Sequence, residues 1–152
     1  MSSKQKDMAP LRDAAILAGW VAGIVLIAGL LWFFTQPARD RFIIIAVNQA
    51  LQQSGDSRRL LNPVPPGTLN AGVSRMGSWY TMGGLPDLPE GTKAFVFTFI
   101  GEGTFFPCLA VVTPEGTVAE FIPLNNHGER MLRRISPEVL RLYGRRIVGA
   151  ES

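Results

Sequence analysis

The longest unbroken apolar pattern in the chain runs from Ala14 to Phe34, 21 residues without a charged side chain. At about 1.5 Å of rise per residue a helix of that length crosses the roughly 30 Å hydrocarbon core of a bilayer, with its backbone polar groups satisfied internally. The run exceeds the roughly 7 to 15 residues of a secretory signal core, and the following Thr35-Gln36-Pro37-Ala38 lacks a small-x-small cleavage pattern. Trp32, Phe33 and Phe34 cluster at its end, where an aromatic belt meets headgroups. The pattern predicts an uncleaved single-pass anchor over 14–34, preceded by a polar tail over 1–13.

A second helical period follows. Phe42, Ile43, Ala46, Val47, Ala50 and Leu51 recur at three and four, with Pro37 suited to a first helical position and Gly55 as the stop. This predicts a separate juxtamembrane helix over 37–54, starting after a break at Gln36-Pro37. Ile44 and Ile45 widen its apolar side.

Beyond Gly55 the period changes. Asp56 to Gly72, with Pro63, Pro65, Pro66 and Gly67, reads as an ordered loop. Strand patterns follow at Ser78 to Met82, Lys93 to Ile100, Phe105 to Thr113 and Thr117 to Leu124. In the second of these, Phe95, Phe97 and Phe99 point to one side and Val96 and Ile100 to the other, as in a central strand covered on both faces. Thr113-Pro114-Glu115-Gly116 supplies hairpin turn chemistry between the last two. Asn125 and Asn126 offer a cap for a short helix through Arg134, and Ser136-Pro137-Glu138 opens another with Val139, Leu140, Tyr143 and Ile147 as its buried stripe. The expected class is α+β: a transmembrane helix, a juxtamembrane helix, and one domain over 55–152 with a mainly antiparallel sheet of about four strands and two short C-terminal helices.

Composition sharpens this in two ways. Charged residues make up 18% and apolar residues 47% of the chain, which excludes both a disordered and a polytopic protein. A single cysteine, Cys108, excludes an internal disulfide framework. Lys4, Lys6 and Arg12 precede the span and Arg39 and Arg41 follow it, a small positive excess that favours a cytoplasmic tail and an extracytoplasmic domain, on the inner membrane if the source is bacterial.

Candidate chemistry is sparse. His127 is the only histidine, and a Cys108–His127 nucleophile pair is weakened because Cys108 lies in an apolar strand, where a free cysteine is ordinarily a small core residue. One histidine and one cysteine leave a zinc site short of ligands, so no metal and no catalytic constellation is expected. Gly101-Glu102-Gly103-Thr104 leads into a strand and not a helix, and reads as a turn between strands, not a phosphate cradle. The stretch from Gly103 to Glu129 resembles one half of the covalent FMN-binding domains of membrane electron-transport subunits. Those attach flavin at a Ser/Thr-Gly-Ala-Thr motif that this chain lacks, and no cofactor is expected.

Three surfaces remain. Ala15, Gly19 and Gly23, at intervals of four, form a small-residue stripe on which another transmembrane helix can pack. Arg130, Arg133, Arg134, Arg141, Arg145 and Arg146 crowd the last two helices, a candidate patch for lipid headgroups or an acidic partner; the plain reading is solvated helix faces with Glu138 pairing Arg141. No aromatic stacking pattern accompanies these arginines, so nucleic acid is not expected. Trp79, Tyr80 and His127 are candidates for a ligand cleft. The expectation is a membrane-anchored accessory or scaffolding subunit that touches lipid and a membrane protein or a second copy of itself; the alternative is an extracytoplasmic domain that binds a small ligand in a sensory or redox setting.

Overall fold

The computed structural model of the chain describes residues 8–69, 72–84, 88–101 and 103–149, with the backbone alone at 8–13 and 15. The expectations for the tail over 1–7, for Glu102 and for the Ala15 side chain fall outside the described residues. Two compact units divide the chain, residues 1–41 and 42–152.

Helix α1 spans Met8–Gln53. It begins earlier than the apolar run and does not break at Pro37, so the two helices expected over 14–34 and 37–54 are one. The ring at Pro37 removes the amide that would bond the Phe33 carbonyl and crowds that carbonyl, a cost confined to one turn, while proline's fixed φ is itself helical. Two residues earlier the Thr35 hydroxyl donates to the carbonyls of Leu31 at 2.8 Å and Trp32 at 3.1 Å. Every side chain from Ile16 to Phe34 is exposed. The helix stops as Gly55 predicts: Gly55, at φ 78°, donates to the Gln52 carbonyl, and the Asp56 amide reaches back to Leu51 at 2.9 Å. These two bonds satisfy the last carbonyls in a Schellman closure that needs positive φ at one residue.

The second unit is built on a five-stranded antiparallel sheet in the order β1 (Arg59–Pro63), β2 (Ser78–Gly83), β3 (Lys93–Gly101), β4 (Thr104–Val112) and β5 (Val118–Pro123). Strand β1 lies in the stretch expected to be loop. It is an edge strand in which only Leu60 is buried, and an edge tolerates Pro63 because no neighbour needs its missing amide. It is held from α1: the Asn48 amide donates to the Leu60 carbonyl at 3.1 Å while Asn48 Oδ1 accepts from the Leu60 amide at 2.7 Å. The β4–β5 turn forms as its residues dictate, with Gly116 at φ 78° and the Thr113 amide donating to the Thr117 carbonyl at 2.9 Å.

The two faces of the sheet differ. One carries Leu60, Tyr80, Met82, Ala94, Leu109, Val111 and Ile122 and is closed by Val47 and Leu51 from the last turns of α1. The other is aromatic: Trp79 packs on Phe95 with ring centres 4.8 Å apart, Phe95 on Phe97 at 5.4 Å, and Phe99 on Phe106 at 5.2 Å. Helices α2 (Asn126–Leu132) and α3 (Pro137–Val148) cover this face, Tyr143 stacking on Phe99 at 4.3 Å and donating its hydroxyl to the Ile100 carbonyl. Both caps are those the sequence predicts: Asn125 Oδ1 accepts from the Gly128 amide at 2.6 Å, and Ser136 Oγ from the Val139 amide at 3.4 Å. Strand β3 is central, but it is not covered along its whole length. Ile100 is 68% exposed and its cross-strand neighbour Phe105 75%, because α1 covers only the other end of that face.

Candidate functional site

The surface with the most built character lies where α3 runs beside the free edge of β5. Gly116 to Phe121 form one wall, and Leu140, Arg141, Gly144, Arg145 and Val148 the other, around a groove of about 460 Å³. The walls approach closely because α3 presents glycine there. A methyl group on Gly144 would stand 3.4 Å from Val118 Cβ. Arg141 and Arg145 are one turn apart on the rim, both exposed, and neither has a carboxylate partner among the described residues. The pair expected between Glu138 and Arg141 does not form.

Among the described residues, the one carboxylate lining the groove, Glu120, is already engaged. Arg58 donates to Glu120 Oε2 at 2.7 Å from Nη1 and to Asp56 Oδ2 at 2.6 Å from Nη2. Those hydrogen bonds, first of all the guanidinium contact to Asp56, hold the Asp56 carboxyl below its ordinary pKa and push Arg58 up.

The six arginines of the expected patch are all exposed, but they do not act on one surface. Arg141 and Arg145 line the groove, whereas Arg146 is outside it. Arg130, Arg133 and Arg134 belong to α2 and the turn after it, where Arg133 is paired with Glu129 at 2.5 Å. Composition reveals the cluster; only the fold divides it.

Trp79, Tyr80 and His127 are not brought together. Consecutive residues on a strand point to opposite faces, so Trp79 joins the aromatic layer and Tyr80 the aliphatic core. His127 stands at the start of α2, its Nε2 3.1 Å from the Thr104 hydroxyl. Trp79, nearly buried, does line one wall of a separate pocket of about 310 Å³ with Leu69, Val73, Lys93 and Val112. Cys108 is fully buried opposite Phe97, and burial pushes its thiol up to about 12, so it carries no thiolate near neutral pH. Among the described residues no group of three or more His, Cys, Asp and Glu could hold a metal ion.

In the first unit, Gly19 and Gly23 have nothing within 4 Å of an added methyl group, and with Ile16, Trp20, Ile24 and Ile27 they outline a shallow apolar groove along α1. By length and composition α1 is the one helix among the described residues able to cross a membrane. No family model, no curated protein and no solved structure matches the chain.

Proposed function

We propose that this chain is a single-pass membrane protein whose folded portion serves as an accessory or scaffolding subunit of a membrane or cell-envelope complex. The observation that carries the reading is the wholly exposed apolar stretch of α1, with its glycine-lined groove, in the same chain as a separately packed α+β domain. Apolar surface of that extent is stable only in lipid or against another helix. The tail lies in the cytoplasm and the domain outside it, following the basic residues that flank the span.

Purification of the full chain in a gentle detergent at native expression level, followed by native mass determination, tests this. The expected result is a defined heteromeric mass containing an uncleaved chain. A mass that lacks the first 34 residues would make the helix a signal sequence, and a lone monomer would remove the subunit reading.

A second reading, ligand binding, is favoured by the pocket beside Trp79, which combines an apolar floor with Lys93. A small molecule retained by the purified chain would support it.

A further inference from the structure

The geometry points to the groove between β5 and α3 as a docking site for an extended acidic segment of a partner protein, which joins the sheet as a sixth strand. The inference rests on the subunit reading and supplies the surface that reading leaves open.

Strand β5 ends the sheet, with β4 on one side and, among the described residues, no strand on the other. In an antiparallel pair, opposed residues alternate between exchanging hydrogen bonds and facing away. The Leu124 amide donates to the Pro107 carbonyl at 3.0 Å. Ile122, opposite Leu109, therefore faces inward, and Phe121, opposite Ala110, turns its amide and carbonyl outward toward the groove side. Natural sheets blunt such edges unless the edge is used.

Helix α3 supplies the second wall, and its direction suits a strand. Gly144 lies against Val118, Val148 lines the same two pockets as Gly116, and Leu140 packs on the same cluster as Phe121, an order in which helix and strand run antiparallel. Arg141 and Arg145 are four residues apart, about 6.0 Å along a helix, and same-face residues of an added strand are about 6.6 to 6.8 Å apart. Two carboxylates at alternate positions of the incoming segment thus meet the two guanidiniums in register. Both guanidiniums lack a carboxylate partner among the described residues, and Glu120 is held by Arg58. Among the described residues the groove's available charge is positive.

This charge selects the occupant. A second copy docking through its own β5 would set Arg141 and Arg145 of one chain against those of the other. It would offer Val118 and Phe121 where carboxylates are wanted. An acidic strand from another protein meets no such conflict.

The test uses the full chain in detergent micelles and three labelled ten-residue peptides: alternating valine and glutamate, alternating valine and lysine, and an acidic peptide of equal charge interrupted by prolines. The first is expected to bind and the others not. Arg141→Glu with Arg145→Glu, both at exposed positions, should weaken binding by about tenfold or more with unfolding temperature unchanged. Hydrogen exchange at the Phe121 amide should slow on binding, which contact through charge alone would not produce. Equal binding of the proline-interrupted peptide, indifference to the double substitution, an unprotected Phe121 amide, or self-association through β5 in place of peptide binding would each overturn the inference. A heteromeric native mass alongside absent peptide binding rejects the groove alone; a lone chain that still binds the peptide rejects the subunit reading alone.

Discussion

Arg58 and Glu120 stand 62 residues apart in sequence and at opposite edges of the sheet, yet Nη1 of one donates to Oε2 of the other at 2.7 Å. Five strands laid flat would hold β1 and β5 about 19 Å apart, four steps of roughly 4.8 Å. The sheet therefore curls, and its concave side is the aliphatic face into which Val47 and Leu51 are packed. Arg58 also fastens Asp56, the residue that closes α1, so one guanidinium ties the end of the helix to both sheet edges.

Removing that guanidinium should loosen all three. Arg58→Met keeps the apolar stem but leaves the half-buried Asp56 carboxylate without its guanidinium, holding only the residue 58 amide, with an expected loss of about 1–2 kcal/mol in denaturant unfolding. Because the Asp56 pKa is lowered in the folded state by Arg58, the stabilisation is complete above the ordinary carboxylate range and is lost as pH falls through the lowered folded value. The stability gap between wild type and Arg58→Met should thus be constant near neutrality and close below about pH 4. A gap that persists in strong acid would show that the guanidinium's hydrogen bonds, not its attraction to an ionised carboxylate, carry the effect.

Cys108 should be chemically silent in the folded protein. Its thiol is fully buried and pushed up to about 12, so iodoacetamide at pH 8 should label it only on the timescale of unfolding, and denaturant should release the reaction. Cys108→Ser places a hydroxyl in that apolar layer and should cost about 1–3 kcal/mol in unfolding free energy.

Gly128 is set by packing. A methyl group there would stand 2.7 Å from Phe106 Cδ2 and 3.0 Å from Asn125 Oδ1, which caps α2. Gly128→Ala, which would favour an isolated helix by about 1 kcal/mol, should instead destabilise the domain by about 1–3 kcal/mol. Thermal unfolding measured beside Gly67→Ala, where nothing lies within 4 Å, isolates the effect of the contact.

Gly19→Leu with Gly23→Leu fills the shallow groove on α1. If the proposed assembly forms through this face, the double substitution reduces co-purification of the proposed membrane partner and leaves unfolding of residues 42–152 unchanged, since those glycines lie in the other unit. An unaltered native mass after the double substitution would exclude this face from assembly.

Much of the local structure was legible along the chain because its causes are local. The Asn125 and Ser136 caps, the Gly55 closure and the Thr113–Gly116 turn are each made by residues within a few positions of the bonds they satisfy. Strand β1 was not legible. Its stretch is rich in proline, and what makes it a strand is pairing with β2 and the Asn48 amide, 12 residues away in the chain, clasping the Leu60 backbone. Pro37 points in the opposite sense: proline suits the start of a helix, and here the helix continues through it because the lost bond and the crowded Phe33 carbonyl are confined to one turn and proline's φ is itself helical. The cleft expected from Trp79, Tyr80 and His127 came from aromatic residues adjacent in sequence, which a strand sends to opposite faces.

The sequence by itself determined the apolar span, the α+β class, the central place of Lys93 to Ile100 and the burial of Cys108, since each follows from the period or the local density of apolar residues. Only the tertiary structure decided which strand ends the sheet, which two of six clustered arginines face that edge, and which partner neutralises Glu120. Those are relations between residues distant in the chain, and they come into being when the sheet curls and α3 settles beside β5.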